Sequence, residues 1–233
     1  MLSTTTATAS PPVRQLAALS LAGIVVAGIA VAALHFVPPT SRLDPYHETI
    51  SAYGLSELGW VFNGAVVLLA LSSLLLVVAL VLDKQLKPLS VGTVMLTLWA
   101  VGMAGVAAFE KTNWAIGPSV AGSIHRAASI VAFLALPIGA GWLIGTALRR
   151  PVVPGRGLLV AALVFTVSSV VYMGYLVWMV ADARSAGAQW WQAIPLGLTE
   201  RILVVLEVGV LICLALRTAR SVTKNPRSVT NVR

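Results

Sequence analysis

LDPYHETISAYGLSELGWVFNGAVVLLALSSLLLVVALVL, Leu43–Leu82, decides the fold. From Trp60 onward it is apolar, with no charged residue before Asp83, and it has about the 20 residues a helix needs to cross a hydrocarbon core of about 30 Å. The part before that, up to Asn63, is different in kind. It holds Asp44, Glu48 and Glu57, three of the chain's eight carboxylates, and His47, one of its three histidines. A polar loop feeding a membrane-length apolar run is the pattern to look for elsewhere in the chain.

The pattern recurs. Of the 233 residues 58% are hydrophobic and only 10% charged, whereas charged residues make up roughly a quarter of a soluble domain. Apolar runs fall at Leu16–Val37, Trp60–Leu82, Leu89–Phe109, Ile124–Leu148, Gly157–Val180 and Ile194–Leu216. Helices are expected, because an isolated strand at that depth would leave its backbone donors and acceptors unpaired. The expectation is an all-α, six-span transmembrane bundle over residues 16–216. A disordered tail over 1–15 precedes it, and a basic tail over 217–233 follows. The first run resembles a signal-peptide core but ends in His35, Phe36 and two prolines without a small-residue cleavage pattern, so it reads as a retained span.

Charge gives the orientation. Eleven of the sixteen Lys and Arg lie in the N-terminal tail, the second and fourth loops and the C-terminal tail, against five in the first, third and fifth loops and their borders. Both termini are therefore expected in the cytoplasm of a bacterial cell, in a multi-pass protein of the cell membrane. The net charge of +8 is then an orientation signal and an attraction to anionic membrane lipid, with no nucleic acid implied. The odd-numbered loops hold all three histidines and, with Glu200, six of the carboxylates, so recognition or chemistry is expected on the outer side. Trp60, Trp114, Trp178, Trp190 and Trp191, with Tyr46 and Tyr53, read as an interfacial belt. Cys213, the single cysteine, lies in an apolar run and has no disulfide partner in the chain.

Small residues suggest the packing faces. Gly141 and Gly145 have the GxxxG spacing, and Gly102 and Gly105 lie among alanines in the third span. Pro137 is expected to kink the fourth span. No internal repeat stands out.

Several polar side chains need a reason. Asp44, His47 and Ser51 are spaced by three and four, which places them on one face if a short helix follows Pro45. Nucleophilic catalysis is one reading. Neighbours on one helix rarely give a base and nucleophile their in-line geometry, and a cap at Asp44 with solvated neighbours is the simpler one. His125 opens the fourth span and Glu110 closes the third; with Asp44 and His47 they form a candidate set for zinc or another divalent ion, although no HxxxH or HExxH spacing supports it. Interhelical hydrogen bonding is the simpler role for His125. Glu207 falls near mid-membrane, where a charge costs about 2.5 to 3.5 kcal/mol on insertion scales, so it should face the bundle interior, pair or be protonated. Glu200 lies on the same helical face beside Arg201. A polar track inward from the outer surface follows, with Asn63, Ser168 and Ser169 as extensions; a packing hydrogen bond is the competing reading.

ISAYGLSELGW after the first span, SIHRAASIVAF opening the fourth and GLTERILVV opening the sixth resemble the signature regions of domain-of-unknown-function family 998, prokaryotic six-helix membrane proteins. The resemblance covers nearly the whole chain and makes Ser51, Ser56, Gly59, His125, Glu200 and Arg201 the family-type polar residues. A fainter similarity is to the DRAM and Sfk type of six-helix protein, which also has a serine-rich first outer loop and a histidine opening the fourth span. The resemblance implies an architecture and names no reaction or cofactor.

The functional expectation is recognition or movement of a lipid or amphipathic molecule in a polar cavity open to the outer leaflet. His125, Glu200 and Arg201 would contact the headgroup, with Glu207, Ser51 and His47 as further candidates. The alternatives are an intramembrane hydrolase or transferase using Asp44, His47, Glu110 and His125 as metal ligands or acid and base, and a structural partner subunit.

Overall fold

The structure, a computed structural model, describes residues 11–113, 115–189 and 193–220. Of the expected tails over 1–15 and 217–233, the parts 1–10 and 221–233 lie outside these residues, as do the belt positions Trp114, Trp190 and Trp191, while 11–15 and 217–220 are helical. Among the described residues six helices are long and apolar enough to cross a membrane: α1 Pro11–Ala33, α2 Gly59–Leu82, α3 Val91–Ala108, α4 Val120–Leu148, α5 Arg156–Ser185 and α6 Leu196–Arg220. The fold is the all-helical six-span bundle.

Local chemistry sets the boundaries. α1 starts earlier than hydropathy suggests, because Pro11 and Pro12 occupy a first turn whose N–H groups have no intrahelical acceptor anyway, and because Val13 and Ala17 are buried against Ala79 of α2. It stops at Ala33, before Val37. The His35 and Phe36 amides tighten onto the carbonyls three residues back, at 3.1 and 2.9 Å, and Pro38 and Pro39 have no N–H to continue the ladder. Ser90 caps α3 by accepting from the Thr93 amide, and Ser119 caps α4 by accepting from the Gly122 amide. α4 continues as helix across Pro137, which is buried. α6 runs one turn beyond Leu216, because Arg217 and Thr218 are buried rather than solvated. Arg217 donates to the Pro154 carbonyl at 3.1 Å and to Gln85 Oε1, and Gln85 in turn donates to Asp83 at 2.6 Å.

Each helix packs on its neighbour in sequence, and α1 packs on α6, so the bundle closes into a ring. One end carries the first, third and fifth loops and is called the histidine end; the other carries the second and fourth loops, the start of α1 and the end of α6. The main core joins residues of all six helices, including Ile24, Leu76, Trp99, Leu136, Leu159 and Leu214. A smaller core of Leu34, Ile50, Tyr53, Phe62, Val66 and Val106 lies under the first loop. Leu19, Ile29, Val164, Val171 and Val177 are among the large side chains facing outward, an arrangement that lipid tolerates and water does not.

The tightest seam is α3 on α4. A Cβ at Gly102 would lie 2.8 Å from the Ala128 carbonyl oxygen, and one at Gly139 would lie 3.0 Å from the Leu96 nitrogen. The expectation for Gly102 and Gly105 thus meets a real close approach. Gly141 and Gly145 do not: nothing lies within 4 Å of a Cβ at either. The face of α4 that packs inward is Leu136, Ala140, Leu143, Ile144 and Ala147, and two residues on from Gly139 the helix has turned about 200°. GxxxG spacing alone does not say which way the pair points.

Candidate functional site

The histidine end is built around Arg201. In the first turn of α6, Gly197 lies so close to the first loop that a Cβ would be 2.4 Å from the Glu48 carbonyl oxygen and 2.7 Å from that of Pro45, and the Leu198 amide donates to the Tyr46 carbonyl at 3.1 Å. One turn on, Arg201 Nη1 donates to the carbonyls of Pro45, Glu48 and Gly197 at 2.9, 2.7 and 2.9 Å. Its Nη2 donates to the Tyr53 hydroxyl at 2.9 Å and its Nε to His35 Nε2 at 2.9 Å. Since Nε2 of His35 accepts, the ring proton is on Nδ1, which faces the Val31 carbonyl at 3.2 Å. The His35 and Tyr53 rings meet edge to face, with centroids 5.3 Å apart. A planar guanidinium thus ties the turn that follows α1, the first loop and α6 together.

Glu200, half-buried beside it, accepts from the Ser51 amide at 3.5 Å at the start of a 3₁₀ turn, Ile50–Leu55. Lys111 attracts it electrostatically. It donates to Thr49 Oγ1, which pairs with Ser51 Oγ at 3.0 Å. Burial lowers the Lys111 pKa, against the attraction of Glu200 and Glu48. The third loop is pinned to the first in this way.

Other expected residues are elsewhere. No helix follows Pro45; a single turn forms, closed by the Glu48 amide on the Asp44 carbonyl at 2.8 Å. The Pro45 and Glu48 carbonyls that would continue a helix are taken by Arg201. Asp44 and His47 pair at 2.5 Å on the surface, while Ser51 is buried under Thr49, so the three do not share a face. The His47 hydrogen bond, then the Tyr46 amide, holds the Asp44 carboxyl below its usual range. His125 is buried, with Nδ1 facing the Val106 and Phe109 carbonyls at 3.1 and 2.8 Å, where it closes the last turn of α3. Glu110 is exposed. Among the described residues no three His, Cys, Asp or Glu side chains gather as a metal site, and the four proposed ligands fall into separate places.

Below Arg201 lies a cavity of about 590 Å³. Val31, Val66, Met103, Phe133, Phe165 and Val208, from six different helices, are among its walls. Trp99 contributes apolar surface at depth, because its indole N–H is given to Ser73 Oγ at 3.0 Å. From Arg201 to Ile212 the cavity follows α6 for about 16 Å, roughly half the hydrocarbon thickness. Gly28, Ala32 and Val205 line it and are also exposed at membrane depth, so it opens sideways there. His35, Glu200 and Arg201 form its roof.

The expected polar track ends at this roof. Below Glu200 the cavity-lining face of α6 is Val204, Val205 and Val208. Glu207 is fully buried but accepts from Ser169 of α5 at 3.1 Å, with its second oxygen unpartnered among the described residues, and it does not line the cavity. His35 and Tyr53 were not foreseen as site residues. Their partner Arg201 lies far along the chain, and no local spacing announces such a contact.

Residues 14–217 match the family model described as "Protein of unknown function (DUF998)". The chain belongs to that family. No curated protein and no solved structure matches it. In this DUF998 protein the three stretches that carried the resemblance surround one place: ISAYGLSELGW supplies Ser51 and Tyr53, SIHRAASIVAF supplies His125 and Ser129, and GLTERILVV supplies Gly197, Glu200 and Arg201.

Proposed function

We propose that this membrane protein binds a lipid or amphipathic molecule, its apolar part in the cavity and its head at the roof. The supporting observation is the cavity itself: about 590 Å³, apolar through its depth, open to the side and polar only at the histidine end. Its size falls within the roughly 300 to 1,000 Å³ of small-molecule sites. Apolar walls of this extent offer a lipid chain many dispersion contacts, each small and together large. Charge distribution assigns the histidine end to the outer face, so the molecule would enter from the outer leaflet.

Residue roles are revised from the sequence expectation. Glu200 faces the ligand, Arg201 mainly holds the roof, and His125 braces α3 and α4 outside the cavity. The hydrolase reading finds no support in a set of residues that do not converge.

The test is native mass spectrometry of protein released from gentle detergent. Wild type should carry a co-purifying lipid of defined mass. Ala65→Phe, which places a ring in the cavity, should carry little while remaining monodisperse. Equal lipid retention in the two proteins, or bare protein in both, would sink the proposal; the second result favours a structural partner subunit.

A further inference from the structure

The roof also specifies the kind of head, given the lipid-binding reading above on which this inference rests. Among the described residues, four cavity-lining side chains besides Trp99 have hydrogen-bonding groups: His35, Ser129, Glu200 and Arg201. Both His35 ring nitrogens are engaged, one by Arg201 and one by Val31. Ser129 gives its hydrogen to the His125 carbonyl at 2.9 Å. A guanidinium has five N–H groups; those of Nε and Nη1, with one of Nη2, serve His35, three carbonyls and Tyr53. Among the described residues a single Nη2 hydrogen is left. The Glu200 carboxylate receives amides of the first loop and has lone pairs to spare.

The roof therefore offers one remaining donor and one carboxylate acceptor, a positive and a negative group both facing the cavity, while Lys111, which does not line it, is shared between Glu200 and the exposed Glu48. An anionic head would confront Glu200 with a guanidinium already committed to five acceptors. A cationic head would lie beside Arg201. We infer that the ligand is an uncharged lipid whose head is a hydroxyl, donating to Glu200 and accepting from Arg201 Nη2. A phospholipid, whose phosphate needs an open cationic fork, does not fit this roof.

Oleyl alcohol, oleate and oleylamine share one chain and differ in the head. Offered together to the full-length protein in detergent and read by native mass spectrometry, the alcohol should exceed each of the others by roughly tenfold or more. Glu200→Gln keeps the shape but leaves the roof positive, so oleate should gain on the alcohol by roughly the same factor. Ala65→Phe should lose all three. Oleate or oleylamine bound in wild type as well as the alcohol, and lost in Ala65→Phe, overturns the head assignment alone. An unchanged preference in a folded Glu200→Gln variant does so too. Retention of none of the three by wild type overturns this inference and the lipid-binding proposal together. The wild-type competition decides the matter even if either variant fails to fold.

Discussion

Arg201 shows what a single side chain does at this end of the molecule. Its five acceptors come from the turn after α1, the first loop, the 3₁₀ turn and α6 itself, and a lysine, with three donors on one point, cannot serve them in one plane. Arg201→Lys should therefore destabilise the protein by about 3 kcal/mol and open the segment 43–58 to limited proteolysis; wild-type resistance would remove Arg201 from this role. His35→Ala deletes one acceptor and should cost less, about 1.5 kcal/mol. The Asp44–His47 pair is a separate, exposed feature. Asp44 is held below 3.8 in the folded chain, so whatever stability the pair gives is present above that value and lost as pH falls through the lowered one. A carbon-13 titration of Asp44 should give a midpoint below 3.8 that moves back toward it in His47→Ala. The neighbouring pair Glu200 and Arg201 was visible in the sequence as two ionisable residues at the mouth of a span. Their division of labour was not, because the partners of Arg201 are chosen by the approach of chain ends that no local spacing encodes.

At the scale of elements, the helices were legible because the bilayer requires length and apolarity and tolerates little else. Their faces were less so. Hydropathy is high all round each span, so it does not distinguish the lipid side from the bundle side, and glycine spacing does not either. Geometry separates the glycines into two classes. At Gly102 and Gly197 a methyl group would strike backbone oxygen at 2.8 and 2.4 Å, and Gly102→Ala and Gly197→Ala should each cost about 1 to 3 kcal/mol. Gly141 and Gly145 face open space, and alanine there should be neutral or add up to about 1 kcal/mol of helix stability. Thermal unfolding of the four variants in one detergent checks the division. Loss of stability in Gly141→Ala comparable to Gly102→Ala would mean that a further helix, such as one from a second copy, covers that face.

For the whole molecule, the use of the cavity depends on which way the bundle sits. The start of α1 and the end of α6 share an end with the second and fourth loops, as Val13, Ala79 and Ala219 show by packing together, and that end carries Lys84, Lys87, Arg149, Arg150, Arg156, Arg217 and Arg220. Short loops rich in Lys and Arg stay in the cytoplasm, so the roof should face outward. Cys213 is buried, which makes cysteine labelling nearly free of background. Glu57 and Lys87 are exposed at opposite ends. A membrane-impermeant maleimide added to intact cells should label Glu57→Cys and leave Lys87→Cys unlabelled until the membrane is permeabilised. The opposite result would turn the roof toward the cytoplasm, and the same cavity would then sample lipid from the inner leaflet. It would also mean that Arg217, held at the terminal end by Gln85 and Pro154, acts in packing and contributes nothing to orientation. With the expected labelling, the polar roof lies on the side from which the proposed lipid would enter, and the basic end lies on the side where anionic headgroups would attract it.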